Sequence, residues 1–434
     1  MTSLAKWRRR PFSAGVWRNR NFVLLCAGQT FSQFGAYVST VVVPLLAIET
    51  LHAGATELGV IGLMSKLPAL FYVVAGVWVD RVRKRPLLVG ATVIRSVLLL
   101  LIPVEVAFGF LTVGLLSATL FVSAVLTVWF DTAYMSYLPA LVGREHLVEG
   151  NSRMESARAT AQVTGPSIGG LLVQAVTAPV AVLLDGLSLL GSAVTLSRIK
   201  HAEPKPAPDQ RGFRGIKDNL IEGFRFLAGH AVLRPLALAI AVNNFAWAAE
   251  LTLYVIYLVD VLHLPASLVG VTLIGSGPGA LAGSLAAAAV ARKLGLAGAI
   301  VSGLTLFCLA TLLIPLAPPA LGAAIPMLVV AGFLMSAGGQ VCAINVLSLR
   351  QGVTPDRLQG RVNGSFRFLS LGLAPLGALA GGLLGTWLGT RTALFVSVGA
   401  MAIGPLVVQC SAAARAMRTL PTDTPTETEP EVAS

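Results

Sequence analysis

The fold class read from this sequence is an all-α integral membrane protein with twelve transmembrane helices in two pseudo-symmetric six-helix halves. Three features lead there. The 434 residues are 55% hydrophobic and only 12% charged, with 44 glycines and 24 prolines spread through the apolar runs. Soluble domains carry about 25% charged residues and do not tolerate Gly and Pro inside their helices so freely. The apolar runs recur at membrane-crossing length, and Lys and Arg collect in alternate connections between them.

The runs lie near 22–47, 57–79, 87–109, 112–138, 156–178, 180–198, 232–258, 267–290, 296–316, 320–346, 363–387 and 392–414. Each is long enough for about 30 Å of hydrocarbon with some tilt. Lys and Arg fall at 6–20, 81–85, 144–158, 198–234, 292–293, 350–367 and 415–418, whereas the intervening connections hold Glu49, Glu57, Asp260 and one basic residue, Arg391. Cationic connections stay on the cytoplasmic side, so this alternation sets the span count and places both termini in the cytoplasm. A multi-pass protein of the cell inner (cytoplasmic) membrane is expected.

The domain layout follows. Residues 1–21 form a basic cytoplasmic N-terminus with no apolar core of the signal-peptide type, and 22–198 form the first six-helix half. Residues 199–231 are a cytoplasmic linker, in which HAEPKPAPDQRG is proline-rich and GIKDNLIEGFRFLAGH alternates like a helix lying on the membrane surface. Residues 232–414 form the second half, and 415–434, acidic and rich in Thr and Pro, a disordered tail. The halves share an offset: Pro166 and Pro375 are 209 positions apart, Gln33 and Asn243 are 210 apart. Such a repeat is found where two six-helix bundles enclose a transport path.

Composition also excludes functions. The net charge of +12 resides in short loops, as topology requires, so no nucleic-acid partner is expected. Cys26, Cys308, Cys342 and Cys410 are mutually isolated and read as small buried hydrophobes. His52, His146, His201, His230 and His263 form no metal cluster, and GSGPG, with Gly275, Gly277 and Gly279, follows no strand that would make it a nucleotide loop. Instead Gly275, Gly279 and Gly283, and again Gly377, Gly381 and Gly385, recur every four residues, which flattens one helix face for close packing. No cofactor, metal or enzymatic activity is expected.

The sharpest local pattern is GVWVDRVRKR at residues 76–85, an acid followed by four basic residues between two apolar runs. Asp80 stands where it can accept from the free N–H groups of a neighbouring helix end, and Arg81 where it can pair with a carboxylate on another helix. Contacts of that kind hold one conformation and release another. Gly76, Asp80, Arg81, Lys84 and Arg85 match Gly-x-x-x-Asp-Arg-x-x-Arg/Lys-Arg, and Gly165, Pro166, Gly169 and Gly170 match Gly-Pro-x-x-Gly-Gly on the fifth span.

Through these two motifs and the charge layout, residues 17–415 resemble the major facilitator superfamily, and within it the macrolide-efflux and enterobactin-exporter-like branch of bacterial drug and siderophore exporters. The resemblance implies that Asp80 meets the start of the eleventh span and Arg81 meets Asp131 on the fourth, as a latch of the outward-open state. It also implies that the fifth-span glycines permit close approach and bending. One departure matters: the loop after the eighth span keeps Arg292 and Lys293 but has Ala291 about where the acid would fall, so the second half is expected to lack the acidic part of the latch.

Ionisable groups inside spans are costly, at least ~2.5–3.5 kcal/mol each at mid-bilayer, so they must face protein or water. Lys66, Arg95, Glu105, Asp131, Asp185, Glu250 and Arg367 qualify, with Glu105 and Asp185 close enough to the outer face to be partly wet. On the seventh span Asn243, Trp247, Glu250 and Tyr254 share one helical face, and on the first Gln29, Gln33 and Tyr37, beside Ser32, do the same. Two such faces, with Arg95 and Gln340, make the expected substrate cavity, although interhelical amide bonding explains each amide taken alone. A protonatable carboxyl there would couple transport to a proton gradient, with Glu250 the first candidate and Asp131 the second.

The function expected is proton-coupled export of small, largely apolar organic compounds by alternating access. The partners expected are a small-molecule substrate, protons and membrane lipids, with a monomer as the working unit. A proton-coupled importer or uniporter is the alternative within transport, and a non-transporting membrane sensor or scaffold the alternative outside it.

Overall fold

In a computed structural model of the chain, the residues described are 18–72, 75, 78–79, 81–142, 147–200, 212–355 and 358–411. The first 17 residues, the proline-rich part of the linker, and the tail from 412 lie outside them, as do Gly76 and Asp80.

Among the described residues every regular element is helical. The helices are α1 (Arg20–Leu51), α2 (Ala55–Lys66, continued by a 3-10 turn Leu67–Phe71), α3 (Lys84–Ala107), α4 (Val113–Val142), α5 (Leu147–Val176), α6 (Ala178–Ser197), α7 (Gly212–Gly229), α8 (Leu233–Ile256, continued by a π turn Tyr257–Val261), α9 (Ala266–Val271), α10 (Ser276–Leu312), α11 (Leu321–Val353), α12 (Gln359–Gly372), α13 (Ala374–Leu388) and α14 (Thr390–Cys410). Among the described residues nine helical runs are long and apolar enough to cross a membrane. One of them, Ala266–Leu312, crosses twice, and α2 and α5 complete the twelve crossings that the sequence predicts.

The double crossing turns at Gly295, whose φ of 76° belongs to the left-handed region open to glycine. Packing against α11 shows the reversal. Along the first arm Gly275, Gly279 and Gly283 meet Val329, Phe333 and Ala337 in rising order, whereas along the second Gly303 meets Cys342 and Phe307 meets Gly338, in falling order. The first arm therefore runs parallel to α11 and the second antiparallel.

These glycines bear the close approach expected of them. A Cβ on Gly279 would sit 2.1 Å from the Phe333 carbonyl oxygen, and one on Gly283 2.3 Å from that of Ala337. The second stripe does the same on α8: a Cβ on Gly377 or Gly381 would come within 2.0 or 2.5 Å of the Phe245 or Ala249 carbonyl. In hydrocarbon the tails are as apolar as any side chain, so helices associate by contact and hydrogen bonding, and glycine brings backbones together.

The helix ends carrying the basic connections are tied individually. Asn19 Oδ1 caps α1 by accepting from the amides of Asn21 and Phe22 at 3.0 and 3.3 Å, while its Nδ2 donates to the Leu141 carbonyl of α4 at 3.0 Å. Asn21 exchanges two bonds with Lys200 (2.9 and 3.1 Å), and the Arg85 guanidinium donates to the Ser197 carbonyl at the end of α6. At the start of α8, His230 Nδ1 accepts from the amides of Val232 and Leu233 at 3.2 and 3.3 Å. Burial pushes the His230 imidazole pKa down, which favours the neutral ring that this acceptor needs.

The linker segment expected to be helical is α7, which packs on α12 through a Glu222–Arg361 ion pair and an edge-to-face contact between Phe224 and Phe368 at 5.8 Å. Cys26, Cys308 and Cys342 are buried as expected, but Cys410 is exposed: it is the last residue of α14, where neighbouring helices no longer cover it.

Substituting Gly279 or Gly381 by valine should destabilise the bundle by about 1–3 kcal/mol through overpacking, whereas Gly399→Val, with nothing within 4 Å of the added Cβ, should be nearly neutral. Thermal unfolding of the purified variants checks this; equal melting temperatures for all three would contradict it.

Candidate functional site

The helices before α7 and those after it meet mainly in the half of the bundle away from the basic connections. There α2 packs on α13: a Cβ on Gly59 would lie 2.9 Å from Gly382 Cα, and the Thr56 and Thr386 hydroxyls hydrogen-bond at 2.7 Å. Across the bundle α5 packs on α9. A Cβ on Gly170 would lie 2.6 Å from the Ala266 carbonyl and one on Gly270 2.2 Å from that of Pro166, while Ser167 Oγ donates to the Gly270 carbonyl at 3.1 Å. The fifth-span motif thus divides its work. Gly165 and Gly169 let α1 approach at Tyr37 and Val38, and Gly170 lets α9 close the far end.

Toward the basic end the two sets of helices separate around three joined chambers. The largest, about 980 Å³, lies between the sets and is walled by Gln29, Gln33, Tyr72, Asp131 and Arg158 on one side and Arg367 and Phe368 on the other. A second, about 540 Å³, lies among α8, α10, α11 and α12, with Asn243, Trp247, Phe307, Arg350 and Ser370 in its wall. The third, about 330 Å³, holds Lys66, Tyr72, Asn244 and Trp247. Leu371 borders all three, and Arg367 borders the first two.

A charged cluster joins the sets inside the largest chamber. Tyr72 Oη donates to Asp131 Oδ2 at 2.7 Å, and the Arg367 guanidinium lies over the Tyr72 ring, 4.8 Å from its centroid. Arg95 is an electrostatic neighbour of Asp131, Asp185 and Tyr72, and among the described residues its Nε has no hydrogen-bond partner. Asp185, expected near the outer face and partly wet, is instead only 4% exposed and accepts from the hydroxyls of Ser39 and Ser188. It lies where α6 passes α1 at Gly35, whose missing side chain makes room for the carboxylate.

The expected cavity residues divide by height. Gln29 and Gln33 on α1 and Asn243 and Trp247 on α8 line chambers. Among the described residues Ser32, Tyr37, Glu250 and Tyr254 do not. For Tyr37, Glu250 and Tyr254 the reason is height, since the chambers reach only the basic half of each polar face; Ser32, level with Gln29 and Gln33, is instead buried on another side of α1. One turn further on, α1 carries Tyr37, whose hydroxyl accepts from Arg158 Nη1 at 3.1 Å. On α8, Tyr254 Oη donates to Thr272 Oγ1 at 2.8 Å, and Glu250 is 2% exposed where the helices converge. Gln340 adjoins the lining residue Gly339 but sits about 100° round the helix from it. Arg95 keeps to the cluster with Asp131 and Asp185 and is absent from the chamber walls.

Of the latch residues, Gly76 and Asp80 lie outside the described residues. Arg81 is exposed, Lys84 begins α3, and Arg85 holds the end of α6. Asp131 bonds Tyr72, not Arg81, in this conformation. Tyr72 and Arg158 were not singled out from the sequence: Tyr72 sits in an aromatic apolar run, and Arg158 was read with the topology charges. Trp129, two residues before the cluster's acid, packs edge-to-face on Trp78 at 4.3 Å, and Phe130 stacks on Tyr134.

A helical membrane bundle with an aqueous chamber between two sets of helices, closed at one end, is the architecture of a transporter. Residues 25–375 match the family model described as Major Facilitator Superfamily, and the chain belongs to that family. It is a secondary transporter of small molecules across a membrane, a transporter fold and not that of a catalytic enzyme.

Among curated proteins it is similar to the enterobactin exporter EntS of Escherichia coli O1:K1 / APEC, 29% identical over 296 residues, which is 67% of each chain. In fold it is similar to the nucleoside transporter NupG, with TM-score 0.74 at 10% identity over 90% of this chain and 98% of that one. It is also similar in fold to a bacterial homologue of the iron transporter ferroportin in an inward-facing state, with TM-score 0.68 at 18% identity over 92% and 99%.

Cysteines replacing Thr56 and Thr386, in a background lacking the four native cysteines, should cross-link on mild oxidation and show as a mobility shift on a denaturing gel, because the hydroxyls they replace are 2.7 Å apart. Failure to cross-link in the membrane-embedded protein would contradict the seal.

Proposed function

We propose that the protein is a proton-driven exporter of small, largely apolar organic compounds, working by alternating access between two six-helix halves, residues 22–198 and 232–414. The observation that carries this is the chamber of about 980 Å³, walled by both halves and closed at the end away from the basic connections. The excess of Lys and Arg in those connections supports a cytoplasmic open end and cytoplasmic termini in a cell inner membrane. An inward-opening chamber with amides and aromatic rings receives an organic solute from the cytoplasm or the inner leaflet. The likeness to an exporter, EntS, over 67% of the chain supports the outward direction.

Closure of the open end and release of the far end would expel the solute. The two hydroxyl bonds of the far end are each worth about 1 kcal/mol net, a cost that a change of state can meet. In the opposite state Arg81 would take Asp131 from Tyr72 and, with Asp80, hold the cytoplasmic end shut as the family latch does.

Protons enter the cycle at two carboxyls with different surroundings. Asp131 lies on the chamber wall among Tyr72, Arg95 and Arg367, so its charge is compensated in this state. Glu250 is buried at the sealed end, and among the described residues no hydrogen bond or ion pair reaches its carboxyl. A charge there would cost at least ~2.5–3.5 kcal/mol, a penalty that the protonated acid avoids. Opening of the far end exposes Glu250 to the outside, and closing it demands a proton. Antiport then requires that the proton leave to the cytoplasmic chamber before the far end reopens, with solute binding favouring the deprotonated carboxyl.

In inside-out vesicles given an acidic interior, solute uptake should rise with the gradient in the native protein. Glu250→Gln should lose this acceleration by about tenfold or more while still exchanging solute down its own gradient. Asp131→Asn should slow both modes. Unaltered proton-driven uptake by Glu250→Gln would remove that residue from the coupling role, and gradient-independent transport by the native protein would overturn proton coupling.

A further inference from the structure

Lys66 is the intramembrane cation that passage of an apolar solute leaves unused. It closes the 12-residue helix α2, about 18 Å from that helix's start, which puts it near the middle of the second span and too deep for its side chain to reach either membrane face. The other cations singled out inside spans are compensated. Arg95 neighbours Asp131 and Asp185, and Arg367 neighbours Asp131 and lies over the Tyr72 ring. Among the described residues no ion pair or hydrogen bond reaches Lys66, and no acid lines its chamber. A cation held at that depth without a counter-charge is costly, so its retention calls for an anion that comes and goes.

The chamber of about 330 Å³ that Lys66 lines can admit one. Its wall hydroxyls have already given their hydrogens to protein: Ser65 to the Gly62 carbonyl at 3.0 Å, Thr127 to that of Ser123 at 2.8 Å, and Tyr72 to Asp131 at 2.7 Å. Lys66 is half-buried, its ammonium is not enclosed by protein, and among the described residues its three N–H donors are all unused. Pro68, Val128, Leu371 and the exposed ring of Trp247 make the apolar part of the wall. The chamber lies just inside the seal. Gly62, one turn before Lys66, meets Ala378 and Thr252, and Ala374, one turn before Ala378, lines the chamber. Tyr72 and Leu371 border both this chamber and the largest, so a molecule held at Lys66 has room to extend toward the basic end.

We infer that this chamber is the headgroup subsite for an organic monoanion: a compact acidic group, of which a carboxylate is the simplest, accepts from the Lys66 ammonium, and the apolar body attached to it lies against Trp247 and Leu371. A lysine is a point charge with rotatable donors, so the site selects for negative charge more than for the shape of the acidic group. The volume, at the low end of the ~300–1,000 Å³ of small-molecule sites, takes the acidic end of the molecule and its first ring. As a statement about cargo this rests on the transport reading above and narrows it to amphiphilic organic acids. As a binding site it stands without that reading.

Calorimetric titration of the purified full-length protein with 2-naphthoate, 2-naphthamide and 2-naphthylmethylamine, which keep one ring system and change the charge from negative to neutral to positive, tests this. The carboxylate should bind about tenfold tighter than the amide, as one charge-assisted hydrogen bond implies, and the amine should bind most weakly. Lys66→Met should bring carboxylate and amide to within about twofold of each other while leaving the amide's affinity unchanged. Lys293→Met, which removes an exposed cation outside all three chambers, should keep the full preference. Equal affinity of the native protein for carboxylate and amide, or binding of neither, overturns the subsite regardless of how the variants fold. A preference retained by a folded Lys66→Met protein, or lost in Lys293→Met, does the same. Charge-selective binding by a protein that moves none of the probes across vesicle membranes would leave the subsite standing and count against the transport reading, and transport of amide and carboxylate alike by a protein that binds them equally would do the reverse.

Discussion

Helices in a bilayer gain little by hiding apolar surface from lipid that is equally apolar, and this constraint governs how the bundle is held together. Association has to come from backbone approach and a few hydrogen bonds. Glycine supplies the approach both within and between the sets. Within the second set, stripes of glycine at four-residue spacing lay α10 on α11 and α13 on α8 along several turns. Between the sets, glycine contacts at Gly59, Gly170, Gly270 and Gly382, one hydroxyl pair and one hydroxyl-to-carbonyl bond join an apolar cluster that draws Val41, Leu58, Leu253 and Val269 from both sets, and together these close the far end.

Polarity is distributed along the same axis. Each of α1 and α8 carries one polar face running from the basic end to the sealed end, and the gate divides it into a hydrated half and a dry half. The wet halves hold amides and Trp247. The dry halves hold Tyr37 bonded to Arg158, Tyr254 bonded to Thr272, and Glu250. Movement of the gate exchanges which half meets water, so an acid in the dry half senses the state of a gate it does not form. The charged cluster of Tyr72, Asp131 and Arg367 sits at the level where both sets contribute, where relative movement of the two would alter it most.

Much of the fold was legible in the sequence because its causes are local. Apolar length sets each crossing, cationic connections set their alternation, and the four-residue glycine repeats set which faces approach closely. The reversal between Arg292 and Leu296 was also readable, since basic residues and Gly295 interrupt an apolar run. The site was legible only in part. Periodicity identifies a helical face but carries no information about how far along that face water penetrates, which is why Asn243 and Trp247 line a chamber while Glu250 and Tyr254 on the same face do not. Tyr72 became visible only once α4 and α12 were brought beside it. Asp185 looked close to water by its position along the span, yet Gly35 on α1 leaves a space that encloses it.

Access to Leu371, which borders all three chambers, tests the central claim most directly. A cysteine placed there, in a protein without Cys26, Cys308, Cys342 and Cys410, can be challenged with a membrane-impermeant thiol reagent in vesicles of known orientation. Faster modification from the side bearing the Arg81–Arg85 connection is the result expected of a chamber open at the basic end and sealed at the other. Equal or faster modification from the opposite side would contradict it.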